Sequence, residues 1–358
     1  MLSPELKESF LSIIRLGIGH DAYIPTKSLD WNAVETLASE HGLLAVMLDG
    51  VEKVPEGLRP PKALLLRWIG DVLQNYEQRY DIYCRSIAEM AGWHNAHGYK
   101  MMVLKGLACN LDWPKPEHRP CGDIDIWQFG KQKEADETLS REKDIKIDSS
   151  HHHHTVFEWN GFAVENHYDF LNVHHHKSNV ELEAVLKELG QDDSHYIELY
   201  GEKVYLPSAN LHALFLLRHS MSNFASTGFN LRQLLDWGFF AEKHGEEIDW
   251  KWLEDVLEKY GMRKLYDVFT AICVEDLGFD AKIFPLVLFE PILKDRVLND
   301  ILSPEFSEIE KGGFVRRAIY KYRRWKANAW KHELCFSESL WSAFWSGAKS
   351  HLLKPASI

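Results

Sequence analysis

Val103-Leu104-Lys105-Gly106 and, further along the chain, Cys121-Gly122-Asp123-Ile124-Asp125-Ile126 are the two stretches that decide the fold. The apolar run Met101–Leu104 predicts a short buried strand, and Lys105-Gly106 ends it where a helix can begin. In the second stretch aspartates and isoleucines alternate. On a strand, both carboxylates would therefore point to one face and both isoleucines to the other.

The paired carboxylates of Asp123 and Asp125 imply a cation beside them. Two such charges about 5 Å apart repel by about 3 kcal/mol at an effective dielectric constant near 20. A hard divalent metal ion that prefers oxygen ligands is the natural counter-charge, so we expect Mg²⁺ or Mn²⁺. The same spacing is common on solvated strand faces, so the pair by itself leaves both interpretations open.

The order of strand, glycine turn, helix and acidic strand is the layout of the polymerase β-like nucleotidyltransferases, which this sequence resembles. More narrowly, the chain is similar to a bacterial group labelled uncharacterised nucleotidyltransferases. The matching elements are Leu104-Lys105-Gly106, Trp113-Pro114 and the run from Arg119 to Ile126. The chain departs from the superfamily pattern at Leu107, where a second glycine or serine is usual, and in a longer spacing to the aspartates.

The resemblance implies metal-dependent transfer of a nucleoside monophosphate from an NTP to an acceptor, with release of pyrophosphate. Asp123 and Asp125 would hold the metal ions, and Glu165 matches the third acidic position, as a metal ligand or base. The residues implied to bind the nucleotide are Lys105, Gly106, Arg119 and Gly122. Each has an alternative role. The lysine would counter the aspartates, the arginine would form a salt bridge to them, and the glycines would serve backbone geometry.

The third acidic residue lies in the segment Val164–Asp169, where Glu165, His167 and Asp169 alternate with Val164, Asn166 and Tyr168. On a strand, Glu165, His167 and Asp169 would share one face. By resemblance, His167 matches a histidine often found two residues after the acid, which makes it a further candidate site residue. The alternative is a strand whose polar face meets solvent.

The whole chain predicts an α+β fold, with a small mixed sheet of nucleotidyltransferase type between helical domains. Residues 1–97 have helical spacing, with Asp30 as the cap of a helix. Residues 98–206 contain short strands, including a hairpin at Asn160-Gly161 and a charged helix at 131–144. Residues 207–358 return to helices, so the predicted domains are 1–97, 98–206 and 207–358.

The overall composition is that of a soluble protein. The 358 residues carry 41 Lys and Arg against 53 Asp and Glu, a net charge of −12, which argues against nonspecific coating of nucleic acid. The five cysteines are scattered and never form a CxxC pair, which favours reduced thiols in a cytoplasm. No apolar run is long enough for a membrane span, and the first residues do not resemble a secretory signal.

Two further features leave alternatives open. His151–His154 and His174–His176 are histidine tracts, but only alternate residues of a strand converge, so we do not expect the first tract to join the metal site. Zinc binding is the alternative. The segment 313–331 carries seven Lys and Arg and no acid. We expect its basic face to pair with acidic residues elsewhere in the chain, and binding of a nucleic acid, nucleotide or anionic partner is the alternative.

We therefore expect a cytoplasmic, metal-dependent nucleotidyltransferase that binds an NTP and no membrane. Its acceptor is a small molecule, a protein side chain or an RNA end. A second hypothesis is a degenerate fold of the same type that binds a nucleotide or partner without turnover, which the departure at Leu107 favours. Retention of three carboxylates favours the enzyme.

Overall fold

A computed structural model describes residues 2–20, 25–27, 29–174, 176–226, 228–306, 313–343 and 345, with the backbone alone at 314, 315, 317 and 318. The chain forms two compact units. One combines residues 1–72 with 217–340, and the other combines 73–216 with 341–358. The predicted three-part division at 97 and 206 stays a prediction.

A six-stranded mixed sheet confirms the predicted α+β class. Its strands are β1 (Met102–Val103), β2 (Ile124–Trp127), β3 (His154–Trp159), β4 (Phe162–His167), β5 (Tyr196–Leu199) and β6 (Glu202–Tyr205). They are ordered β3-β4-β2-β1-β6-β5. The β2–β4 and β1–β6 pairs are parallel, and the β1–β2, β3–β4 and β5–β6 pairs are antiparallel.

The β3–β4 hairpin turns at Asn160-Gly161, as predicted. Both residues have positive φ, 49° and 79°, as a two-residue turn that matches the twist of its strands requires. The β5–β6 hairpin turns in the same way at Tyr200-Gly201, with φ of 49° and 85°. Its first central residue is a tyrosine, which carries no turn signal in the sequence, and this second hairpin was not predicted.

Helices account for most of the remaining described chain. They are α1 (Pro4–Gly17), α2 (Trp31–Glu40), α3 (Leu44–Val51), α4 (Lys62–Val72), α5 (Arg79–Ala96), α6 (Leu107–Asn110), α7 (Gln132–Lys143), α8 (Lys177–Leu189), α9 (Ala209–Ala225), α10 (Leu231–His244), α11 (Trp250–Lys259), α12 (Arg263–Glu275), α13 (Pro291–Leu302), α14 (Phe314–Ala327) and α15 (Ala329–Cys335). A π-helical segment, Leu73–Gln78, joins α4 to α5. Asp30 caps α2 as predicted, and its side chain accepts from the backbone N–H groups of Asn32 and Ala33.

The two faces of the sheet differ in chemistry because side chains alternate along each strand. On one face, Ile124, Ile126 and Val164 enter a buried apolar cluster that also contains residues of α5 and α7. The other face carries Asp125 and, directly opposite it on the neighbouring strand, Glu165. The fold therefore places charged side chains on the two central parallel strands.

Two other sequence predictions concern the cysteines and membrane-spanning segments. All five cysteines are buried, and their predicted state as reduced thiols in a cytoplasm stays a prediction. None of the described helices combines the length and the apolar character needed to cross a membrane.

The basic segment forms α14 and the start of α15. Lys331 is buried, and its ammonium lies 2.5 Å from a carboxylate oxygen of Asp300. This contact agrees with the expected pairing of the basic segment with acidic residues elsewhere in the chain. Arg323 is exposed. The side chains of Phe314 and Arg317 lie outside the described residues, as does His175 of the second histidine tract. Binding of a nucleic acid, nucleotide or anionic partner by this segment stays the alternative interpretation.

Candidate active site

The turn after β1 is built around Gly106, which precedes α6. Its φ is 56°, and a Cβ added there would lie 2.1 Å from the hydroxyl oxygen of Tyr83. That hydroxyl donates to the backbone carbonyl of Asp123 at 3.0 Å. A glycine is thus required both by conformation and by the close approach of Tyr83, which ties the turn to the acidic strand.

Gly106 and Gly122 were both expected to be required by backbone geometry, and the structure bears this out for only one of them. Gly106 confirms the expected backbone requirement. At Gly122 that expectation is wrong, because its φ lies outside the left-handed region and an added Cβ would meet nothing within 4 Å. The residue is exposed, just ahead of β2. Its role in nucleotide binding stays a prediction.

Arg119 lies inside the turn and is only 5% exposed. Its guanidinium donates to the carbonyl of Gly106 at 3.3 Å and to the side-chain oxygen of Asn110 at 3.0 Å. The amide of Asn110 in turn donates to the backbone carbonyl of Arg119 at 2.9 Å. These bonds hold the turn, so the guanidinium serves a positioning role in this structure, and its contact with a phosphate stays a prediction.

Leu107, the departure from the superfamily pattern, is fully buried in the apolar cluster beneath the sheet. Its side chain packs with Tyr83 and Val103 as members of that cluster. The position that is usually small is therefore used for packing.

Asp125 is the centre of the site and is 2% exposed. One of its carboxylate oxygens, Oδ1, lies 2.9 Å from the ammonium of Lys105 and 3.1 Å from Nε2 of His167. The cation that the sequence implied beside the acidic pair is thus supplied in part by the chain itself. This outcome supports the interpretation of Lys105 as a counter-charge.

The electrostatics of this pair follow from burial and proximity. Burial alone would raise the pKa of Asp125, but Lys105 and His167 outweigh it and hold that pKa far below its ordinary value. For Lys105, burial alone would lower the pKa, but the carboxylates of Asp125 and Asp123 outweigh it and the pKa is raised. Both groups are therefore charged at neutral pH.

Glu165 faces Asp125 across the parallel strands. Its side chain is 28% exposed, and one oxygen, Oε2, lies 3.7 Å from Nε2 of His167. Burial and then repulsion from Asp125 raise the pKa of Glu165. Like charges on directly opposed strand residues are destabilising. The second carboxylate is thus held in a position that favours a further cation.

Asp123 is exposed and precedes the first residue of β2. Its charge reaches both Lys105 and Glu165, since it contributes to the pKa shifts of both groups. Among the described residues, however, the donor atoms within 4.8 Å of one another are those of Asp125, Glu165 and His167, and this group excludes Asp123. The structure brings the predicted acids to one region, with Asp123 at its solvent edge.

Asp169 does not join them. Strand β4 ends at His167, and the carboxylate of Asp169 forms an ion pair with Lys187. Its backbone carbonyl instead accepts from Nδ1 of His167 at 3.1 Å. Asp169 was predicted to share a strand face with Glu165 and His167, but the strand ends before it, so the alternation of side chains does not extend to it.

The histidine tract reaches the site, contrary to the sequence expectation. His154 pairs directly with His167 across the β3–β4 hairpin. His153 lies just before β3, where side chains do not follow strand alternation, and its donor atom joins those of His154 and His167 within 4.8 Å. Adjacent histidines therefore converge, because the strand begins between them. The start of a strand inside a homopolymeric tract has no signal in the sequence.

The comparisons with known proteins bear on this site. A family model described as uncharacterised nucleotidyltransferase matches residues 27–278, which include the whole carboxylate and histidine group. A search of curated proteins finds no match. Among solved structures, the chain is similar to an antigenic nucleotidyltransferase-like protein from Paracoccidioides brasiliensis, with 13% identity and a TM-score of 0.35. That similarity covers 57% of this chain and 97% of the other.

Proposed function

The chain belongs to the family described as uncharacterised nucleotidyltransferases, and on that premise we propose that it is a metal-dependent enzyme. It transfers a nucleoside monophosphate from an NTP to an acceptor and releases pyrophosphate. Mg²⁺ or Mn²⁺ is the cofactor, held by Asp123, Asp125 and Glu165. The acceptor is a small molecule, a protein side chain or an RNA end.

The observation that carries this proposal is the register that sets Asp125 opposite Glu165 on adjacent parallel strands. With Asp123 at the edge, three carboxylates lie near the ammonium of Lys105 and the imidazoles of His154 and His167. The donor set offers hard oxygen atoms, which Mg²⁺ and Mn²⁺ prefer. Such an ion would polarise the phosphate oxygens and stabilise the charge that develops during transfer.

Residues of the chain supply proton transfer, charge balance and positioning during the reaction. An acceptor hydroxyl oxygen bonds to the α-phosphorus, the bond from that phosphorus to the bridging oxygen breaks, and pyrophosphate leaves. We assign Glu165, the more exposed of the two strand carboxylates, to receive the proton of the acceptor. Lys105 balances Asp125 and contributes a positive charge toward the phosphates. Arg119 positions the turn from which Lys105 extends.

The test uses NTPs labelled at the α-phosphate, with Mg²⁺ or Mn²⁺, and follows released pyrophosphate and labelled acceptor in a fractionated cell extract. Asp123→Asn and Asp125→Asn are expected to reduce turnover to background. Asp136→Asn is the matched control, because Asp136 is also a buried carboxylate but bonds to Thr155 and Asn166 instead. Normal turnover in Asp125→Asn would overturn the proposal.

A protein that binds nucleotide without turnover is the second candidate. It is favoured by the direct contact of Lys105 with Asp125, which neutralises a metal ligand from within the chain. This candidate predicts NTP binding with no pyrophosphate release in any extract fraction.

A further inference from the structure

Three imidazoles converge beside the carboxylates. His153, His154 and His167 each place a donor nitrogen within 4.8 Å of the other two. The ring centroids of His153 and His154 are 4.3 Å apart, and those of His154 and His167 are 5.3 Å apart. The backbone fixes the arrangement, since the carbonyl of His153 accepts from the N–H groups of both Tyr168 and Asp169 at the end of β4.

Two of the three rings have a buried nitrogen that makes no hydrogen bond among the described residues. Nδ1 of His153 and Nδ1 of His154 make no hydrogen bond within the part of the chain that the structure describes. His154 is only 6% exposed. A buried polar atom without a partner is costly unless a ligand satisfies it.

The third ring is oriented for coordination. Nδ1 of His167 lies 3.1 Å from the backbone carbonyl of Asp169. When this nitrogen carries the proton and donates it, Nε2 is left as a donor atom. Histidines that bind metals commonly donate the other ring N–H to a carbonyl or carboxylate in this way. Nε2 of the same ring lies 3.1 Å from Asp125, so His167 contacts a carboxylate as well as the rings of the other two histidines.

We propose that His153, His154 and His167 form a second metal site, for Zn²⁺ or a similar transition-metal ion, next to the carboxylates. Three imidazoles favour such ions over Mg²⁺, which prefers oxygen. Tetrahedral zinc with Zn–N bonds of about 2.0–2.1 Å separates its ligand atoms by about 3.3 Å, so the donors close by about 1.5 Å or less. Glu165 Oε2, 3.7 Å from both His154 Nδ1 and His167 Nε2, supplies a fourth donor.

The site goes beyond nucleotidyl transfer and couples to it through shared residues. Zinc on Nε2 of His167 would replace the 3.1 Å contact of this nitrogen with Asp125, and zinc on Glu165 would withdraw a carboxylate from the proposed Mg²⁺ site. Zn²⁺ and Mg²⁺ therefore compete. Zinc binding itself needs no nucleotide, so its measurement is independent of whether the chain transfers nucleotides.

The experiment measures Zn²⁺ binding to the full chain, prepared without an affinity tag, by competition with a coloured chelator. X-ray absorption at the zinc edge then identifies imidazole neighbours. One ion per chain with several imidazole ligands is expected. His153→Gln and His154→Gln should each weaken binding by at least about 100-fold, more than the loss of an outer-shell partner causes.

His152→Gln is the matched control. It lies in the same tract, but its ring contacts that of His174, with centroids 4.7 Å apart, and its zinc affinity should stay unchanged. Asp123→Asn should also keep zinc, since its carboxylate is outside the histidine group. Zinc affinity that is unchanged in both His153→Gln and His154→Gln, or lost in His152→Gln, would overturn the proposal.

Discussion

Asp125 and Asp136 are both buried carboxylates, 2% and 7% exposed. They lie on opposite faces of the sheet, and their partners and pKa shifts differ. Asp125 meets an ammonium and an imidazole, and its pKa falls. Asp136, on α7, accepts hydrogen bonds from Gln132, Thr155 and Asn166, all neutral, and burial raises its pKa. The acidity of a buried carboxylate thus depends on the charge of its donors, and only the first arrangement leaves neighbouring acids that require a cation.

The same strand β4 serves both sites. Glu165 and His167 project toward Asp125, while Asn166 between them donates to Asp136 at 2.8 Å and to Gln128 at 3.0 Å. The donors to Asp136 are all neutral side chains, although Nε2 of Gln128 and Oδ1 of Asn166 in the same network make no hydrogen bond among the described residues. Around Asp125, by contrast, the neighbouring groups include the ammonium of Lys105 and the carboxylate of Glu165, and Glu165 is part exposed. The charge and the exposure of the neighbouring groups therefore distinguish the candidate binding site from the polar cluster around Asp136.

The largest effect on stability is expected from Lys105→Met. Removing one partner of a buried ion pair leaves the other charge uncompensated, which costs about 3 to 5 kcal/mol. His167 remains beside Asp125, so we expect a loss near 3 kcal/mol in the free energy of unfolding, measured by denaturant at pH 7.

The matched variant on the other face is Gln132→Met, which removes a neutral donor to Asp136 and should cost about 1 kcal/mol. The double variant Lys105→Met, Asp125→Asn should recover much of the loss, because the two residues interact directly. Equal losses in Lys105→Met and Gln132→Met would remove the distinction between the faces.

A somewhat smaller effect is expected from Gly106→Ala, about 2 to 3 kcal/mol. The alanine must adopt a positive φ and its Cβ must displace the hydroxyl of Tyr83. Gly122→Ala is the control and should change stability by less than about 0.5 kcal/mol, since nothing lies within 4 Å of the new atom. Thermal unfolding of both variants checks this prediction. A severe loss in Gly122→Ala would contradict the assignment of the turn.

The smallest expected effect is on the pH dependence of stability, to which Asp125 and Asp136 contribute with opposite signs. Because the pKa of Asp125 is depressed, its contribution is present above the ordinary value of 3.8 and is lost as pH falls below it. The stability advantage of the wild type over Asp125→Asn should therefore grow as pH rises from 3 to 5.

For Asp136, the raised pKa reverses the sign. Its contribution is present below 3.8 and is lost as pH rises through the folded-state value. The advantage of the wild type over Asp136→Asn should shrink over the same rise in pH and beyond. Denaturant unfolding across pH 3 to 8 measures both trends, and parallel trends would contradict the comparison.

Local patterns predicted the parts of the fold that depend on neighbouring residues. Alternation placed Asp125 and both isoleucines on opposite strand faces, and Asn160-Gly161 predicted the β3–β4 turn, because these properties are set within a few residues. The β1–β6 pairing was not predictable from local pattern. It joins residues about a hundred positions apart through one register pair, Met102 with Tyr205.

The sequence predicted which residues belong to the candidate site better than it predicted the contacts between them. The acids were found from their spacing and from resemblance. The ion pair of Lys105 with Asp125 depends on how the turn at Gly106 directs the lysine. The role of His153 depends on the residue at which β3 begins, which a run of identical residues does not reveal.

The most direct test of the central claim is the change in melting temperature when NTP is added with and without Mg²⁺ or Mn²⁺. A ligand at 100 times its dissociation constant stabilises the folded protein by about 2.7 kcal/mol, a shift that a thermal assay resolves. The wild type and Asp136→Asn should respond to NTP only when the metal ion is present, and Asp125→Asn and Glu165→Gln should respond weakly or not at all. A full response without the metal ion, or in Asp125→Asn, would contradict a metal-dependent nucleotide site on this face of the sheet.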